Sequence, residues 1–248
     1  PQANPRRLVM DEFALFKGHR YATVVLDADT RRVLWVGEGR SREALRPFFE
    51  WLGPARCAEI KAVAMDMNTA FDLEVQQHCP NARVIYDLFH VIAKYGREVI
   101  DRVRVDEANR LKQDRPMRRV VKRARWLLLR NPENIPAAQQ TSLDELLAAN
   151  QALTTVYIMK ASLKELWQAN TAWQWRTAWR TWMKMAKDSE IEPLQKFAKK
   201  LKAYWRGIVA RVRWPMHTGQ LEGINNRIKV MKRMAYGYRD SAFFFLKI

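Results

Sequence analysis

Residues 62–87 read AVAMDMNTAFDLEVQQHCPNARVIYD, and their pattern decides the fold. AVAMD, Ala62 to Asp66, is an apolar run ending in an acid, Thr69 to His78 has helical composition, and RVIY, Arg83 to Tyr86, ends at Asp87. Two strands joined by a helix predict a parallel, right-handed crossover. Upstream, Arg7–Ala14 (RLVMDEFA), Tyr21–Leu26 (YATVVL) and Val33–Val36 (VLWV) are short β-forming runs separated by the polar turns KGHR and DADTRR, which predicts an antiparallel meander. Between meander and crossover, Ser41 to Leu52 carries Ala44, Leu45, Phe48, Phe49 and Leu52 on one helical face. Ser41 is placed to cap that helix and Gly53-Pro54 to stop it. Three antiparallel strands, a helix, a strand, a helix and a fifth strand follow the order of the ribonuclease-H-like fold, an analogy of topology that carries no chemistry by itself.

Beyond Asp87 the pattern is wholly helical. Leu88, Val91, Ile92, Tyr95, Val99 and Val103 form a long stripe, followed by a basic helix around Met117–Leu129 and a break at NPENIP, Asn131–Pro136. Ser142 and Glu145 suggest a capping box, a Trp-rich helix or helix pair is expected from Leu153 to Lys187, and another helix from Pro193 to Val212. Trp175, Trp179 and Trp182 recur at helical spacing and are expected in the interior, whereas Trp173 lies off that face.

Charge divides the chain in the same place. The 248 residues carry a formal charge of +18, yet residues 1–90 hold 12 Lys+Arg against 12 Asp+Glu, so the whole excess lies in residues 91–248. Clustered basic residues near phosphates release condensed counterions, which makes nucleic acid the leading partner over a merely solubilising surface or an acidic membrane. With 48% hydrophobic residues and ten tryptophans, disorder is excluded. No run approaches the roughly 20 apolar residues of a membrane span, PQANPRRLVM lacks a signal-peptide core, and the expected location is the cytoplasm, beside the nucleoid. Cys57 and Cys79 form no Cys-x-x-Cys pair, and the four histidines are scattered, so zinc and Ser/His nucleophile sites have little support. Gly37-Glu38-Gly39 lacks the third glycine of a dinucleotide loop, and no phosphate-binding Gly-x-x-x-x-Gly-Lys motif occurs.

The chemistry is expected from acids. Asp66 and Asp87 end apolar strands, where ligands bind in open α/β sheets, although a capping or turn role serves either one alone equally well. Asp11 and Glu12 interrupt an apolar strand, where a carboxylate needs a cation or donor. In the segment His217–Asp240, Leu221, Ile224, Ile228, Met231 and Ala235 make a helical stripe that leaves Glu222, Asn225, Asn226, Lys229 and Arg233 along an adjacent flank. That flank suits a metal beside a phosphate backbone, and equally an ordinary solvated helix face.

The segments VMDEFALFKGHRYATVVLD, AVAMDMNTAF, PNARVIYDLFHV and GQLEGINNRIKVMKRMAYGYRD together resemble the DDE-type transposases of bacterial insertion sequences, most closely the ISL-three family. The resemblance covers nearly the whole chain, and the last segment is its most specific part. It implies a ribonuclease-H-like α/β core with a mixed five-stranded sheet and a large helical insertion before the last catalytic helix. The expected divisions are residues 1–94, the basic helical insertion 95–214, and 215–248 completing the core. It further implies an acidic triad at Asp11, Asp66 and Glu222 holding two Mg²⁺ or Mn²⁺ ions, supporting roles for Asp87 and His90, and DNA contacts from Asn225, Asn226, Lys229 and Arg233. The implied activity is metal-assisted strand cleavage and strand transfer on double-stranded DNA, transposon ends and target alike. A homodimer on DNA is implied, with no membrane and no nucleotide cofactor. Members of the family carry a zinc-binding and helix-turn-helix region ahead of the core, while this sequence starts almost at the first catalytic strand, as a catalytic-domain fragment or truncated product would. The competing expectations are a catalytically silent DNA-binding remnant and another nuclease on the same fold.

Overall fold

The computed structural model describes residues 4–16, 20–235 and 240–248, with the side chains of Phe16, Gln220 and Glu222 outside the description. Most of the expected KGHR turn and the Tyr236–Arg239 stretch of the last expected segment lie outside it. The chain forms two compact units, residues 1–87 with 206–248, and residues 88–205.

The first unit is built on five strands, β1 (Arg7–Phe16), β2 (Arg20–Asp27), β3 (Val33–Glu38), β4 (Ala62–Met65) and β5 (Arg83–Tyr86), in the order β3-β2-β1-β4-β5. The first three pair antiparallel, while β1 with β4 and β4 with β5 pair parallel. This is the mixed sheet of a ribonuclease-H-like fold. β4 is buried at every position, as expected of a strand covered on both faces.

One face is covered by α1 (Arg42–Leu52), the single turn α2 (Pro54–Cys57) and α3 (Thr69–His78). Ser41 caps α1 by accepting from the Ala44 N–H, and Gly53, at φ 81°, closes it. Pro54 opens α2 instead of ending the helical run. The face of α3 toward α1 carries Glu74, fully buried, whose carboxylate takes Arg42 Nε at 2.8 Å, Arg46 at 3.4 Å and His78 Nε2 at 3.2 Å. Burial alone would raise the Glu74 carboxyl, but the hydrogen bonds and charge of Arg46 and Arg42 outweigh it and hold the group below its ordinary 4.5.

The helical unit contains α4 (Leu88–Tyr95), which runs through a wider π-helical turn at Gly96–Ile100 into α5 (Asp101–Arg110), then α6 (Arg115–Arg123), α7 (Arg125–Leu129), α8 (Ala137–Ala149), α9 (Gln151–Glu165), α10 (Ala172–Asp188) and α11 (Glu192–Ala203). The expected capping box at Ser142 does not start a helix, because α8 begins at Ala137, where alanines and glutamines directly follow Pro136. The Trp-rich stretch is a helix pair, and Thr171 caps its second member by accepting from the Gln174 N–H. Trp175 and Trp182 are buried as their spacing predicts, Trp179 stacks on Trp175 with centroids 5.0 Å apart, and Trp173 is exposed. The interior is pinned by polar edges: Tyr95 Oη donates to the Val156 carbonyl at 2.9 Å, and Trp182 Nε1 to that of Met159 at 3.0 Å. Lys160, also buried, donates to the carbonyls of Leu128, Leu129 and Arg130 and so closes the end of α7. Burial and the charge of Lys164 lower its ammonium to about 8.

The chain returns through α12 (Trp205–Ala210) to α13 (Gly219–Met234) and α14 (Ser241–Phe245). The expected single helix Pro193–Val212 is broken at Tyr204, whose ψ of 6° leaves the α region. α13 lays Leu221, Ile224, Ile228 and Met231 against Val9, Phe13, Ala64 and Ile85 on the second sheet face. Among the described residues no helix is long and apolar enough to cross a membrane.

Gly207 lies against the Tyr86 ring so closely that a Cβ would stand 2.3 Å from Cε2. Gly207→Ala should therefore lower stability by about 1–3 kcal/mol, measured by urea unfolding. The depressed Glu74 carboxyl adds stability that is complete above its unfolded value near 4.5 and is lost as pH falls through the lower folded value. Glu74→Gln should lose this acid-side dependence, read from unfolding midpoints between pH 6 and pH 3.

Candidate active site

The register of β1 and β4 builds the site. Val9 pairs with Ala64, so two residues further on Asp11 comes level with Asp66. Side chains alternate along a strand, which puts Asp11 on the face of Val9 and Phe13, and Asp66 on the face of Ala62 and Ala64. Both therefore project toward the side that α13 covers, and a carboxylate oxygen of each lies within 4.8 Å of the other. They open into a cleft of about 420 Å³ whose wall includes Glu12, Arg40 and Asn68.

Asp11 is held at both oxygens. Oδ1 accepts from the Glu12 N–H at 2.8 Å, and Oδ2 accepts from Nδ2 of Asn225, on α13, at 2.8 Å. Asn225 is 7% exposed, and its Oδ1 is buried with no hydrogen-bond partner among the described residues. Glu222 lies three residues before Asn225 on the same helix, and its side chain is outside the description. Asn226, Lys229 and Arg233 are exposed along α13. Asp87, nearly buried at the end of β5, takes a short hydrogen bond from the Thr218 hydroxyl at the start of α13. His90 lies on α4 in the helical unit.

The structure thus joins Asp11 with Asp66, brings Asn225 to Asp11, and links Asp87 to Thr218. Several groups escaped sequence reading. Thr218 stands 131 residues from Asp87, and no local pattern reveals that pair. Arg40, which bonds Glu12 at 3.0 Å and lies over the Tyr21 ring at 4.1 Å, gave no signal either. Asn68 did: directly before a helix, its side chain accepts from the Ala70 N–H at 3.0 Å, the usual role of asparagine at a helix start.

The donors at the heart of the cleft are carboxylate oxygens, hard ligands of the kind that hold Mg²⁺ and Mn²⁺. Asp11 and Asp66 fit a divalent ion by this chemistry.

A sheet of this order with two facing strand carboxylates is that of a ribonuclease-H-like core, and comparison with known proteins narrows the class. A family described as transposase, the ISL3-type DDE group, matches residues 8–248. The chain belongs to that family. It is 60% identical over 242 residues to the transposase for insertion sequence element IS1001 of Bordetella parapertussis, covering 97% of this chain and 59% of that protein. It is 28% identical over 259 residues to the transposase for insertion sequence element IS1557 of Mycobacterium tuberculosis, covering 96% of this chain and 58% of that protein. The chain therefore spans about three-fifths of the length of these relatives.

Replacing Asn225 by Asp removes the donor and sets a second carboxylate against Asp11. Two like charges in a part-buried site repel, and the hydrogen bond that held Asp11 is lost with them. Asn225→Asp should be less stable than the parent by at least about 1 kcal/mol at pH 7, read from urea unfolding midpoints.

Proposed function

We propose that the chain is the catalytic domain of an insertion-sequence transposase, which cleaves a DNA strand at the element's end and joins the freed 3′-hydroxyl to target DNA. The observation that carries this reading is the pairing of the Asp11 and Asp66 carboxylates within 4.8 Å of each other, at a cleft whose Asp11 is also bonded by Asn225 of α13.

In this proposal Asp11, Asp66 and Glu222 hold two Mg²⁺ or Mn²⁺ ions. Metal bound by such carboxylates activates the attacking hydroxyl and offsets charge building on the phosphate and leaving oxygen. The protein's own groups prepare that chemistry. The Glu12 N–H and the Asn225 amide fix the Asp11 carboxylate, so that it need not reorganise when substrate enters. Asn225 was expected as a DNA contact; buried against Asp11, it acts in this reading as a positioning residue. Asp87 does similar work at one remove: by accepting from Thr218 it sets where α13 starts, and hence where Glu222 falls. Asn226, Lys229 and Arg233, exposed along α13, meet the DNA backbone. His90 is kept as a supporting residue on the family resemblance alone. Double-stranded DNA is the partner, a homodimer brings two ends together, and no nucleotide fuel is consumed, because cleavage is hydrolysis by water and joining exchanges one phosphodiester for another.

Calorimetric titration of Mn²⁺ in the presence of a short duplex tests the reading. The parent chain should bind, and Asp11→Asn, Asp66→Asn and Glu222→Gln should each lose at least about tenfold in affinity. Tight DNA binding with metal uptake that none of the three changes would instead favour a silent DNA-binding remnant.

A further inference from the structure

The strongest feature outside the cleft is the surface of α6 and α7. Residues 111–130, LKQDRPMRRVVKRARWLLLR, hold eight Lys+Arg and one acid, Asp114, which is occupied in capping α6 through the Met117 N–H. Arg115, Arg119, Lys122 and Arg123 of α6 fall within about 100° of one face at helical spacing, Trp126 and Arg130 follow after the break at Ala124, and all six are exposed. Trp126 is 65% exposed, with the Arg125 guanidinium 5.1 Å from its ring centre. Among the described residues, Arg115, Arg119, Lys122 and Arg123 have no acidic partner.

We propose that this face is a second DNA-binding surface, which grips the phosphate backbone of a duplex without reading its sequence and does so independently of the metal cleft. It rests on the transposase reading for the identity of its partner.

Three observations favour a duplex. From Arg115 to Arg123 the stripe runs about 12 Å at helical rise, the axial length of roughly three to four nucleotides of one strand. The opposite face, Val121, Ala124 and Leu128, is buried inside the helical unit. An amphipathic helix that enters a membrane must offer its apolar face to lipid, and this one is already occupied. The helices that carry the cations are also fixed rather than trailing: Asp101 takes Arg104 at 2.7 Å and Arg125 at 3.3 Å, Arg104 donates to the Lys122 carbonyl at 2.9 Å, and Lys160 closes the end of α7. A basic face on a folded backbone gives up less backbone freedom on binding than a flexible basic tail.

The test uses the full chain with metal chelated, so that the Asp11–Asp66 cleft is silent. Binding to a labelled duplex of random sequence is followed by anisotropy between about 50 and 200 mM salt. R115Q/R119Q/K122Q/R123Q should bind more weakly, with a log-log salt slope shallower by about 3 to 4, close to 0.9 for each phosphate no longer neutralised. Arg119→Gln and Arg123→Gln alone should each flatten it by about 0.9, which keeps the test decisive if the fourfold variant fails to fold by circular dichroism. Unchanged slopes in the folded variants would overturn the proposal. So would loss of binding to phosphatidylglycerol vesicles with the DNA slope intact, which would assign the face to a membrane. Loss of metal uptake in Asp66→Asn is scored separately, so failure here and failure of the transposase reading give different results.

Discussion

The parallel pairing of Val9 with Ala64 sets the geometry on which the site depends. Strand side chains alternate, so a slip of one residue between β1 and β4 would turn Asp66 to the α1 and α3 side and leave Asp11 alone. Nothing in the two acids specifies that register; their apolar neighbours do. Leu8, Val9 and Met10 on β1, and every residue of β4, are buried, and each face must meet its own helices. The carboxylates are thus placed by hydrophobic packing that would be much the same without them. Their convergence is informative for that reason, since two acids set together gain nothing for the fold.

α13 completes the arrangement from the far end of the sequence. Its apolar side, Leu221, Ile224, Ile228 and Met231, anchors it to the sheet, and two polar ties refine its position. Asn225 reaches Asp11 across 214 residues of chain, and Thr218 reaches Asp87 across 131. Each tie engages a carboxylate at a strand position already fixed. A mobile helix could not keep Asn225 on Asp11, so the polar contact adds direction to what apolar contact supplies in bulk.

Local patterns and long-range pairings were legible to different degrees. The five strands, the crossover and the cap at Ser41 could be read because alternation, helical spacing and side-chain to backbone capping act within a few residues. Helix limits were read less well where local preferences compete: Ser142 and Glu145 make a plausible start, yet Ala137 to Gln140 already favour helix, and the backbone bonds formed there leave Ser142 in the interior. At the site, the acids stood out because charge inside an apolar strand is costly. Asn225 stood out only as one of several polar residues on a helix flank. Its inward aim follows from how α13 packs on the sheet through Leu221 and Ile228, which no local sequence term encodes.

The breaks in the sheet-bearing unit show how it accommodates the residues between them. The chain leaves after Tyr86 and Asp87 and returns at Arg206 and Gly207, and Gly207 rests on the Tyr86 ring. Exit and return are therefore neighbours, closed by a contact that only glycine permits, with the Tyr86 hydroxyl tied to Asp72 Oδ2 at 2.9 Å on its other side. Bringing two chain ends together costs entropy that grows only slowly with the length between them. An intervening segment with its own core, here centred on Tyr95, Trp182 and Phe197, can offset its own ordering and leave the host little to bear. The separation of charge follows the same logic. The unit that must bring carboxylates together is built from a nearly neutral stretch, residues 1–87, and a shorter basic one, residues 206–248, while most of the excess positive charge lies in a unit whose core does not depend on those acids.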